Sequence, residues 1–127
     1  MVSHNVGHIL ADHFTIHRFP PNHEIPKQIY ENQFCSISKT EDELSIVCSS
    51  SVLPGSNISE TGWSCIKVLG PLDFSLTGIL ADISAVLAKA SVSIFAISTF
   101  DTDYVLVKSE KLPVARNALQ KAGYTFE

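Results

Sequence analysis

Two short segments of this sequence hold the residue types that bind charged small molecules. In Gly70-Pro-Leu-Asp-Phe-Ser-Leu-Thr-Gly-Ile79, a polar, glycine-containing loop runs from a strand-like segment into a helix-like one. Free backbone N–H groups and the positive end of a helix dipole at such a place favour an anion such as a carboxylate. In Ser98-Thr-Phe-Asp-Thr-Asp103, carboxylates and hydroxyls share a hairpin tip, which suits an ammonium or guanidinium group. Together the two segments would hold a zwitterion. The same residues also suit plain structural roles, with Asp73 as a helix cap and Asp101 and Asp103 as turn formers, and residue type alone leaves both readings open.

Other chemistry finds less support. His4, His8, His13, His17 and His23 all fall in the first twenty-three residues. A metal site would need pairs such as His4 with His8 or His13 with His17 on one helical face, but there is no H-E-x-x-H pattern and His17 sits in a strand-like segment. A solvated N-terminal arm accounts for them better, and no metal or cofactor is expected. No G-x-G-x-x-G, G-x-x-x-x-G-K-[ST] or G-x-S-x-G occurs, and no nucleophile is spaced to a base, so an enzyme is not expected. Cys35, Cys48 and Cys65 are odd in number, far apart and without a C-x-x-C pair, which argues for small buried hydrophobes in a reducing cytosol and against a disulfide framework.

Composition narrows the class further. The 127 residues are 45% hydrophobic and 17% charged, enough apolar material for a folded core and too much for a disordered chain. A formal charge of −4 with no basic run weighs against nucleic acid. The segment Gly78 to Phe100 is apolar but broken by Asp82, Lys89 and several serines, so it does not read as a bilayer span. The N-terminus lacks the basic and apolar regions of a signal peptide, and a cytoplasmic location is the expectation.

The elements that must position these residues divide at a turn-rich run, Ser49 to Gly62. Before it, Phe14–Phe19, Phe34–Ser38 and Leu44–Ser49 read as strands, with Thr40-Glu-Asp-Glu43 in the form of a capped helix turn. After it, Trp63–Leu69 reads as a strand, and Ile79, Leu80, Ile83, Val86, Leu87 and Ala90 mark one face of a helix over 77–90. Val92–Phe100 and Asp103–Lys108 form an antiparallel hairpin about a short turn at Asp101-Thr102. A second helix spans about 111–122, with Ser109 as its cap, Pro113 in its first turn and Gly123 at its end, and Tyr124–Phe126 is a last strand. From Trp63 the order is βαββαβ, the ferredoxin-like split unit. Both helices would cover one sheet face and leave the other to be paired within the chain or between chains.

The runs Gly70–Ile79, Leu87-Ala-Lys-Ala90 and Ile94–Lys108, with Thr40–Val47 and Gly62-Trp63, resemble the ACT-domain proteins related to the cytosolic arginine sensors of animal growth signalling. The resemblance covers about Phe14 to Phe126. It implies an α+β fold of tandem ferredoxin-like (ACT-like) units, the first degenerate: an arm over 1–13, a degenerate unit over 14–60 and a full unit over 61–127. It further implies a small amino-acid-binding regulatory or sensor protein without catalysis, acting as a homodimer. The ligand-contacting positions carry over to Thr77, Gly78 and Ile79 for the carboxylate, and to Thr99, Phe100 and Asp103 for the cationic end. Just before Gly78 the sensors carry an acidic residue, whereas Leu76 and Thr77 stand here. The rival implication is a protein-interaction or dimerisation module with no small ligand.

Overall fold

The computed structural model describes residues 6–69 and 78–127. Two compact units are formed, one from Asp12–Trp63 and one from Met1–Ala11 with Ser64–Glu127.

In the first unit, β2 (Phe14–Phe19), β3 (Ser36–Lys39), β4 (Leu44–Ser49) and the beginning of β5 (Ile58–Leu69) lie in the order β3-β4-β2-β5, each pair antiparallel. This is the strand order of a split βαββαβ unit whose helices are missing. A five-residue 3-10 turn, Lys27–Glu31, stands in the first helix position and a loop over 50–57 in the second. Among the described residues of this unit no α-helix remains. Its core is Phe19, Ile29, Leu44, Ile46 and Cys48, and Ile29 is the residue by which the 3-10 turn is anchored, fully buried.

The helix turn expected at Thr40–Glu43 is a hairpin loop. Thr40 Oγ1 accepts from the N–H groups of Asp42 and Glu43, both at 3.1 Å, as an N-cap would. The Thr40 N–H, however, donates to the Glu43 carbonyl at 2.9 Å, and Lys39 pairs with Leu44. The capping chemistry is therefore real, but Leu44, Ile46 and Cys48 alternate on one buried face and carry the chain on as strand instead of helix.

The second unit joins β5 to α1 (Ile79–Lys89), β6 (Ile94–Ser98), β7 (Asp103–Lys108), α2 (Leu112–Lys121) and β8 (Thr125–Phe126). Ile66 and Val68 of β5, Val105 and Val107 of β7, Ile83 and Leu87 of α1, and Ala115 and Leu119 of α2 make one core, so both helices cover the same sheet face. The expected α+β ferredoxin-like architecture is thus present. Cys65 and Leu106, which alternate with the core residues of β5 and β7, are also fully buried.

One strand was not anticipated. The sequence reading makes 1–13 a solvated arm, but Val6–Ile9 forms β1, antiparallel to β5 with Val6 opposite Leu69, and parallel to β8 with Val6 opposite Thr125. The order is β6-β7-β5-β1-β8, with β1 where β8 alone would complete the ferredoxin-like sheet. Gly7 makes this fit possible, because a Cβ there would stand 2.7 Å from Cε2 of Phe126. Ser109 also departs from its expected role. It begins a 3-10 turn (Ser109–Lys111) and bonds Ser64 through hydroxyls 2.8 Å apart, while α2 starts at Leu112 with Pro113 in its first turn and no side-chain cap.

Candidate functional site

Gly78 sits immediately before α1 with φ +90° and ψ −3°, left-handed backbone that glycine adopts without strain. Its carbonyl receives the Asp82 N–H at 2.8 Å, the first bond of the helix. No side chain among the described residues caps this end, where the first-turn N–H groups and the positive end of the helix dipole lie. A Cβ on Gly78 would meet no atom of the described residues within 4 Å. Ile79 is half-buried and packs its side chain on the core. Its side chain is therefore committed to packing, and only its backbone is available to a ligand. Thr77 lies outside the described residues, as does Asp73.

The hairpin tip is a four-residue loop, Thr99–Thr102, wider than the two-residue turn expected. Thr99 ties it closed: its N–H donates to the Thr102 carbonyl at 2.8 Å, its hydroxyl to the same carbonyl at 3.0 Å, and its Oγ1 accepts from the Thr102 N–H at 3.2 Å. Phe100 is 80% exposed at the tip. Asp103, the first residue of β7, accepts from the Ser98 hydroxyl at 2.6 Å on Oδ1, and Oδ2 can accept from a further donor.

Chain direction puts Gly78 and Asp103 at one edge of the second unit's sheet. A β–α–β crossover returns the chain so that its second strand runs parallel to its first. The end of β6 and the start of β7 therefore share the edge where β5 ends and α1 begins.

Two residues not singled out by their types join that edge. Tyr124, 5% exposed and just before β8, donates its hydroxyl to Oδ2 of Asp82 in the first turn of α1, at 2.5 Å. Burial, and then the Asp82 carboxylate, push the Tyr124 phenol above the usual tyrosine range. The helix periodicity sets Asp82 on the wet side, and it is exposed. The sequence signal for the pair is weak, because their closeness depends on β8 meeting the sheet at Val6.

A void lined by Val6, Gly7, Ile66, Val68, Ile83, Tyr124 and neighbours has about 10 Å³ of free space, at most one water and far too little for an amino acid. Nor do the histidines converge: among the described residues no three His, Cys, Asp or Glu side chains form a metal-binding group. His17, far from being in a solvated arm, is 6% exposed, with Nδ1 2.6 Å from the Ser56 hydroxyl, and its ring stacks on Phe19, which stacks on His23. Burial holds its pKa below the ordinary histidine value.

The ACT-domain family model matches residues 58–121, from β5 through α2. The chain belongs to the ACT-domain family. A separate family model, for an N-terminal domain, matches residues 12–56 of this ACT protein. A solved protein of Agrobacterium tumefaciens is 35% identical, with a TM-score of 0.91 over 99% of this chain and 94% of that one. A protein of unknown function from Vibrio cholerae is 16% identical, with a TM-score of 0.71 over 89% and 85%. The regulatory subunit of aspartate kinase from Thermus thermophilus is 12% identical, with a TM-score of 0.64 over 91% and 97%, and so shares the fold. Among the described residues of this ACT protein, no helix is long and apolar enough to cross a membrane.

Proposed function

We propose that this ACT protein binds a free amino acid and acts as a regulatory or sensor protein without catalysis. The reading rests on one relationship: by chain direction Gly78, at a helix end that no described side chain caps, and the Asp103 carboxylate fall at the same sheet edge. The ligand carboxylate takes the N–H groups at Gly78 and Ile79. Its cationic end takes Asp103, with the backbone of Thr99 and Phe100 beside it. Thr77 is assigned to the carboxylate side by the sequence resemblance alone. The absence of an acidic residue at Leu76 or Thr77 favours a neutral amino acid over arginine. Occupancy is reported through homodimer formation, since a ligand shifts association only by contacting the two states differently. The shared fold of an aspartate kinase regulatory subunit supports a regulatory role.

Calorimetric titration with each of the twenty amino acids tests this reading. One of them should give heat at millimolar concentration or below, and Asp103→Ala should remove it. No heat and no thermal shift for any of them would overturn the proposal. Phe100, 80% exposed at the tip, favours a second reading, a protein-interaction module, in which Phe100→Ser abolishes partner binding and Asp103→Ala leaves it intact.

A further inference from the structure

The first unit contains two thiols that its strand pairing sets against each other. In the β3–β4 pair, Ile37 stands opposite Ile46 and Ser36 opposite Val47. One further step along the same register places Cys35 opposite Cys48. Alternation puts Cys35 and Ile37 on one face of β3 and its lead-in, and Ile46 and Cys48 on one face of β4. That is the face the core uses: Ile46 and Cys48 are in its buried cluster, and Cys35 and Ile37 pack against it. Opposed residues of an antiparallel pair have Cα atoms about 4.5–5.5 Å apart, within the roughly 4.4–6.8 Å that a disulfide spans. Their nearness is felt at Cys48, whose thiol is pushed up to about 11 by burial first and by Cys35 second.

We propose that Cys35 and Cys48 are a redox pair that closes into an intrachain disulfide across the β3–β4 hairpin when the chain meets a hydroperoxide. The two thiols differ in access in the way such a pair requires. Cys35 is partly exposed, whereas Cys48 is fully buried. The Cys35 thiolate attacks the O–O bond, becoming a sulfenic acid and releasing the alcohol, or water when the oxidant is hydrogen peroxide. The Cys48 sulfur then displaces hydroxide from the Cys35 sulfur, and its proton leaves with that hydroxide as water. In sum, two thiols lose two electrons and two protons, and one hydroperoxide is reduced. An external dithiol reverses the bond by exchange. The product fixes the Thr40–Glu43 loop inside a covalent ring within the first unit, and the proposal uses none of the residues of the ligand reading.

Cys65 is the internal control. It is fully buried, burial pushes its thiol up to about 12, and it belongs to the other unit. The full chain, treated with stoichiometric hydrogen peroxide, unfolded and alkylated with N-ethylmaleimide, should carry one adduct, on Cys65, where the reduced chain carries three. Peptide mapping should find Cys35 joined to Cys48, and dithiothreitol should restore all three adducts. In Cys48→Ser the reaction should stop at an oxygen adduct on Cys35. Three adducts after oxidation of the wild type, oxygen on Cys35 with Cys48 still alkylated, or a bond that involves Cys65 or a second chain would each overturn the proposal.

Discussion

The Tyr124 hydroxyl donates to Oδ2 of Asp82 at 2.5 Å, tying the turn after α2 to the first turn of α1. This bond fixes the helix end on which Gly78 depends, from a residue that would not itself touch a ligand. Hydrogen bonds to charged acceptors contribute about 1.5–3 kcal/mol when buried, and the exposure of Asp82 reduces that. Tyr124→Phe should therefore lower unfolding free energy by about 1 kcal/mol in urea titration. The folded phenol ionises above its unfolded value of 10.0. Its contribution is complete below that pH and is lost as pH rises beyond it. Wild-type stability should fall above pH 10 more steeply than that of Tyr124→Phe, which lacks the titrating group.

His17 produces the opposite dependence. Its folded pKa is lowered from 6.5 by burial, so its contribution is complete above that pH and is lost as pH falls below it. His23 lies beyond Phe19 in the same ring stack. Thermal melts followed by Trp63, the chain's one tryptophan, should shift down between pH 7 and 5. The shift should shrink in His17→Gln, and a His23→Gln control should retain most of it.

Two glycines separate strain from space. Gly78→Ala meets no atom of the described residues within 4 Å, but its φ of +90° costs an L-residue about 1–2 kcal/mol. Gly7→Ala keeps ordinary strand geometry but drives a methyl to 2.7 Å from the Phe126 ring. It should cost about 1–3 kcal/mol and be partly rescued by Phe126→Leu, whereas Gly78→Ala should not be rescued by that change. Denaturation of the single and double variants distinguishes the two mechanisms.

Leu87 is fully buried in the core of the second unit, between α1 and the sheet. Leu87→Ala should destabilise by about 2–5 kcal/mol in urea titration.

Local patterning made the helices and the β6–β7 hairpin legible, because Ile79, Ile83 and Leu87 repeat at helical spacing and β-branched residues fill the strands. Where pairing is distant, the sequence says less. Val6–Ile9 is short, contains Gly7 and His8, and gains strand structure only by lying between β5 and β8. The first half of β5, Ser59-Glu-Thr-Gly62, is exposed and polar and so resembles a loop. Thr40 makes the hydrogen bonds of a helix cap in a chain that never enters a helix. At the candidate site, Gly78 and Asp103 could be read from residue type and position, whereas the Tyr124–Asp82 bond depends on the path of the last strand.

The place of β1 also constrains how the chain is made. The ribosome releases β1 before any of the first unit, yet both of its sheet neighbours, β5 and β8, come later, and β8 comes last of all. The first unit can settle while synthesis continues, since its residues are contiguous from Asp12 to Trp63. During that interval β1 is a strand without a sheet, and the second unit closes only on release of Thr125 and Phe126. Truncating the chain after Tyr124 would leave an open edge on β1, and stalled or shortened chains would carry that edge as a point of mispairing with other nascent copies.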